Sequence, residues 1–142
     1  MSAREKVIEV CHLLFIHTDN YNWSALQSEV FTEEVQFDMS SMGGEVKMMR
    51  ASEICDAWAE GFADLDSVNH LSGNYIVTFL EDGSARVFCY ATATHFKEAA
   101  TNGQTREYVG TYDLHLMHSE DMWRIDAFRY NLKYASGNLD LS

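Results

Sequence analysis

The chain has 142 residues, of which 46% are apolar, 13% aromatic and 23% charged. That is enough for one hydrophobic core and far from the composition of a disordered polymer. Twenty-two acidic residues against ten basic ones leave a formal charge of −12, which repels phosphate backbones and anionic bilayers and excludes nucleic acid and membrane surfaces as partners.

From the N-terminus, Ser2-Ala3-Arg4-Glu5 has the pattern of a capping box, and a helix is expected to run to about Thr18. Val7, Val10, Cys11, Leu14 and His17 lie along one face of it at helical spacing, which predicts the buried stripe. The apolar run Val7 to Ile16 is broken by Glu9 and His12 and is followed by no small-residue cleavage site, so it does not read as a signal peptide. A shorter helix is expected over 24–31, a strand over 35–39 and a loop over 40–50. A third amphipathic helix follows over 51–62, with Ile54, Trp58 and Phe62 four residues apart.

Beyond residue 66 the apolar period changes from 3.6 to 2, giving strand candidates over 68–80, 84–97, 106–118 and 122–134. Glu81-Asp82-Gly83-Ser84 joins the first two as a hairpin turn. Helices followed by long antiparallel strands predict a single α+β domain over 1–142, with the helices on one face of a curled sheet. Along 84–97 one face carries Ala85, Val87, Cys89, Ala91, Ala93 and His95. This small-residue face leaves room for a ligand cavity or for a close-packed helix.

Other groupings point to less. Cys11, Cys55 and Cys89 are odd in number and widely spaced, forming neither a disulfide framework nor a metal knuckle, so a reducing cytoplasm is the expected location. His115 and His118, three apart on a strand, face opposite ways and do not make a metal pair. No metal or cofactor is implied. Neither a phosphate-binding glycine loop nor a serine or cysteine nucleophile constellation is apparent.

Several short motifs, in this order, resemble the SnoaL-like branch of the nuclear transport factor 2-like superfamily over nearly the whole chain. They are Asp19-Asn20-Tyr21-Asn22-Trp23, the passage from Leu26 to Phe37, Asn69 to Asn74, Ala91-Thr92-Ala93-Thr94-His95, Gly110-Thr111-Tyr112-Asp113 and Met122-Trp123-Arg124-Ile125. The resemblance implies helices closing a strongly curved sheet into a cone around an apolar pocket. Within the superfamily the pattern is most similar to scytalone dehydratase and bile-acid dehydratase, whose pocket aspartate and two histidines match Asp19, His70 and His95 here. Thr18 and Met39 stand where scytalone dehydratase has tyrosines, and the position of its pocket asparagine falls at Asp113 or Tyr112.

The resemblance implies a cofactor-independent lyase or isomerase, of dehydratase or cyclase type, acting on a small hydrophobic carbonyl compound. Asp19 is expected to orient His95 as general base, with His70 as donor to the developing enolate or leaving hydroxyl. Tyr112, Asp113, Trp58 and Met39 are expected substrate contacts. Arg129 stands where some relatives place a basic residue at the pocket mouth, although pairing with one of the many acidic side chains is the simpler role for it. Self-association as a homodimer or homotrimer is expected through the aromatic face of Phe88 and Tyr90. The same fold without catalysis, as a ligand carrier or assembly subunit, is the alternative.

Overall fold

Ser2 opens the first helix, α1 (Ala3–Asp19): its hydroxyl accepts from the Glu5 amide at 3.1 Å, while the Glu5 carboxylate accepts from the Ser2 amide at 3.2 Å. The computed structural model describes all residues 1–142. Val7, Cys11, Leu14, Phe15 and Thr18 form the buried face of α1. His17 is not part of that face; the helical period brings Thr18 inward and leaves His17 to meet Glu29 at 2.6 Å.

Two short elements follow, α2 (Trp23–Ala25) and a single wide helical turn over Leu26–Val30, in which the Phe31 amide reaches back to the Leu26 carbonyl. The helix expected over 24–31 is therefore short and ends before Phe31. That residue instead starts strand β1 (Phe31–Asp38) and pairs with Ile125. Most of the loop expected over 40–50 is also structured: a tight turn at Ser40–Met42 leads into strand β2 (Val46–Arg50), antiparallel to β1. Helix α3 (Ala51–Phe62) then buries Ala51, Ile54 and Cys55.

The remaining strands are β3 (Ser67–Phe79), β4 (Ala85–Phe96), β5 (Thr105–Ser119) and β6 (Met122–Gly137). They complete a six-stranded sheet in the order β2-β1-β6-β5-β4-β3. Only the β1–β6 pair is parallel, and the sheet is open, with β2 and β3 as its edges. The alternation read along β4 holds: Ala85, Val87, Cys89, Ala91, Ala93 and His95 are all buried. The helices lie on that side, and a cluster of 23 buried residues fills the space between them and the sheet. Full burial of side chains such as Leu14, Phe31, Ile54 and Ile125 contributes about 1.5–3 kcal/mol each. The cysteines are free and buried. No helix is long and apolar enough to cross a membrane.

Register breaks curl the sheet. One lies between Gly73 and Ile76 on β3, where Asn74 takes φ +55°; two lie between β5 and β6. Each inserts an unpaired residue and increases the local twist. The break between His115 and Leu116 leaves Asp126 without a residue opposite it in the β5–β6 register. Inward-facing residues on β6 accordingly change parity, from Trp123 and Ile125 before it to Phe128 and Tyr130 after it.

Candidate active site

The concave face encloses a cavity of about 250 Å³ lined by fifteen residues, twelve of them hydrophobic. An apolar cavity of about 150 Å³ accommodates benzene, so this one has room for a substituted ring. Leu14, Phe15 and Thr18 contribute one wall from α1, Trp58 and Phe62 another from α3, and Ala91, Ala93 and His95 the floor from β4. The small residues on β4 are what keep the floor from meeting the helices.

Asp19 is presented by the turn that ends α1. Tyr21, at φ +56°, reverses the chain there, and its hydroxyl donates to the carbonyls of Phe62 and Leu65 at 3.1 and 3.3 Å. The aromatic rings of Tyr21, Trp23 and Phe62 stack on one another. The Asp19 carboxylate thereby faces β3 and accepts twice from one residue, from the His70 amide at 2.9 Å and from His70 Nδ1 at 2.6 Å. Phe15 stacks on the other side of the imidazole. A carboxylate accepting from Nδ1–H leaves the lone pair of a neutral His70 on Nε2.

His95 is held in the opposite sense. It lies across the β3–β4 ladder as a diagonal neighbour of His70, since Val68 pairs with His95 and His70 with Ala93. Its Nδ1 accepts from Arg106 Nε at 2.9 Å. Arginine has no acceptor and does not deprotonate, so Nδ1 must carry the lone pair and the proton of neutral His95 must sit on Nε2. Burial, then the guanidinium of Arg106 and the neighbouring His70, push its pKa down to about 4. Phe62 and Tyr108 pack against the ring. Both histidines line the cavity, and neither Nε2 is sealed within the protein.

The expectation that Asp19 orients His95 is thus corrected: Asp19 engages His70, and Arg106 engages His95. Met39, Trp58 and Tyr112 line the cavity, whereas Asp113 points outward to Asn131 at 2.9 Å. Inward positions on β5 run through Gly110, Tyr112 and Leu114, which settles the choice between neighbours. Arg129 also faces out, 3.7 Å from Asp38, because the extra residue at Asp126 shifts the alternation by one. Sequence reasoning missed Arg106 as a partner of His95, although pairing β4 with β5 puts the two directly opposite each other. Tyr130, a strand aromatic that by sequence fits a pocket wall or, more ordinarily, the core, also lines the cavity. The Tyr130 hydroxyl is buried without a hydrogen-bond partner, and its ring occupies the space above Gly110.

A serine–histidine–aspartate array does exist, away from the cavity. Asp126 bonds His115 Nδ1, and His115 Nε2 lies 2.9 Å from Ser84 Oγ. Ser84 is 1% exposed and its hydroxyl donates to Asp82. With its proton committed and no access for a substrate, this serine ties the β3–β4 hairpin to β5 rather than acting as a nucleophile.

The SnoaL-like domain matches residues 1–129. No curated protein matches the sequence. Among solved structures the chain is similar to Kfla4162 from Kribbella flavida, at 22% identity and TM-score 0.90 over 97% of this chain and 95% of that one. A scytalone dehydratase-like protein from Novosphingobium aromaticivorans aligns at 11% identity and TM-score 0.79, covering 94% and 85% of the two chains. The hexachlorocyclohexane dehydrochlorinase LinA-type3 from Novosphingobium barchaimii aligns at 10% and 0.77, covering 94% and 88%. These structural likenesses share the α+β architecture of helices packed on a mostly antiparallel sheet. With the domain match spanning most of its length, the chain belongs to the SnoaL-like family.

Proposed function

We propose that the protein is a cofactor-independent lyase or isomerase for a small, largely apolar carbonyl compound. The reading is supported by one observation above all: two histidines at one cavity carry opposite hydrogen-bonding polarity, set by Asp19 on one side and Arg106 on the other. His70 Nε2, with its lone pair free, takes a proton from a carbon next to the carbonyl. Asp19 stabilises the imidazolium that results. His95 Nε2–H donates to the carbonyl oxygen as negative charge gathers there, and its depressed pKa keeps it a neutral donor that needs no reorganisation. In a dehydration, the imidazolium of His70 returns its proton to the departing hydroxyl, and water leaves. Structural relatives with elimination chemistry in their names, the scytalone dehydratase-like protein and the dehydrochlorinase, support the same class.

The apolar walls favour an uncharged ring over a polyanion, in keeping with the net charge of −12. Outward from the cavity, Leu71, Ile76, Tyr90 and Tyr134 expose 71%, 61%, 41% and 56% of their surface. Self-association over this sheet face is part of the proposal, and sedimentation showing a stable monomer at micromolar concentration would contradict it. The buried free cysteines fit a reducing cytoplasm.

The test is a thermal-shift screen of small hydrophobic carbonyl compounds, followed by turnover assays on those that bind. A ligand at 100 times its dissociation constant stabilises by about 2.7 kcal/mol. His70→Gln is expected to lower kcat by roughly 10²–10⁴-fold while binding persists. Full turnover in His70→Gln would remove His70 as the base, and ligands that bind without turnover would make the domain a carrier.

A further inference from the structure

Arg106 is held at two points. Nε donates to His95 Nδ1 at 2.9 Å and Nη1 donates to the Leu139 carbonyl at 2.9 Å. Leu139 belongs to a segment that leaves the sheet after β6 and folds back over the β4–β5 connection. Gly137, at φ +89°, makes that reversal; a Cβ there would meet the Thr105 carbonyl oxygen at 2.5 Å, so the close approach requires glycine. The Asn138 amide donates to Thr105, its side chain to Gly103 and Ser142, and the Ser142 carbonyl accepts from Thr101 and Asn102. Leu141 is 4% exposed, yet it lies outside the main buried cluster. The segment also lies beyond the residues that the SnoaL-like domain matches.

We propose that this C-terminal segment is a positioning element for the cavity, which holds Arg106 through the Leu139 carbonyl and so keeps His95 a neutral Nε2–H donor. An arginine stem has several rotatable bonds, and one hydrogen bond to a neutral imidazole does not immobilise it against the pull of water. The second anchor removes that freedom. Once it is lost, the guanidinium turns to solvent, Nδ1 loses its donor, and His95 is free to exchange tautomers or take a proton. The groups acting on His95 are Arg106 from β5 and His70 from β3, with the uncharged rings of Tyr108 and Phe62 packed on it. Only Arg106 is reached by the segment.

The inference rests on His95 acting as donor, but its test needs no substrate. Imidazole nitrogen resonances of the ¹⁵N-histidine-labelled, ligand-free protein report tautomer and protonation directly. Wild type is expected to show a lone pair on Nδ1 of His95 and a ring that is still predominantly neutral at pH 5. Deleting residues 139–142, or Arg106→Met, is expected to raise the protonation midpoint by at least one pH unit and mix the tautomers. Leu141→Ser, which loosens the same segment, supplies the measurement if the shortened chain does not fold. An unchanged His95 in Arg106→Met overturns the whole chain of contacts. A change in Arg106→Met with none in the shortened or Leu141→Ser protein overturns the role of the segment. Absence of turnover with every screened compound would instead count against the proposed activity and leave these resonances as they are.

Discussion

Acidification should destabilise this protein in a window set by one side chain. His95 is 6% exposed and its pKa is about 4 in the folded chain, against 6.5 for a free imidazole. The unfolded chain therefore binds a proton at a pH where the folded chain does not. The stability gained by keeping His95 neutral is complete above pH 6.5 and is lost as the pH falls from there to about 4. At 1.36 kcal/mol per pH unit the loss approaches about 3 kcal/mol, and linkage gives about 2 kcal/mol between pH 7 and pH 5. Urea unfolding at the two pH values, followed by tryptophan fluorescence, measures it as a fall in midpoint at constant slope. His95→Gln keeps a side-chain oxygen that can accept from an arginine but has no proton to gain. Its loss over the same interval should be smaller than that of wild type by about 2 kcal/mol. Equal losses in the two proteins would refute the argument that His95 is buried neutral.

Two further outcomes follow from the cavity. In Gly110→Ala the new methyl would sit 2.4 Å from the Asn131 carbonyl oxygen and 2.6 Å from the Tyr130 hydroxyl; thermal unfolding should show a loss of about 1–3 kcal/mol as both the β6 backbone and Tyr130 are displaced, and unchanged stability would mean that the two strands separate there without cost. Of the three tryptophans only Trp58 lines the cavity. A ligand entering the cavity should therefore change the emission of wild type, and Trp58→Phe should abolish most of that signal without preventing binding by calorimetry.

Local rules carried the sequence reading far in some places and failed in others for identifiable reasons. The capping box at Ser2 and the alternation along β4 depend on neighbours within a few residues, and both are present as read. Strand β2 was invisible because four of its five residues are exposed, so no inward and outward alternation marks it. The parity of β6 changes at Asp126, which no period-2 count anticipates; that one residue moved Arg129 out of the pocket and brought Phe128 and Tyr130 in. The Asp19, His70 and His95 trio was reached through resemblance, and the structure brings all three to the cavity region. Which imidazole the carboxylate meets depends on how the end of α1 sits over β3, a relation between distant segments. Arg106 was overlooked because a charged residue near a strand end reads as solvated unless the opposite strand is considered.

The cavity itself has an energetic meaning apart from chemistry. The cost found for sealed voids in packed cores, about 24 cal/mol per Å³, sets an upper bound of roughly 6 kcal/mol on the packing that the folded chain forgoes at an open-mouthed cavity of about 250 Å³. That is comparable with the whole stability of many domains, which lies at about 5–15 kcal/mol. Larger side chains at Ala91 or Ala93 would recover part of it and close the floor. The alanines keep the protein below the stability its own scaffold permits, and the space they maintain is available to any apolar molecule that fits.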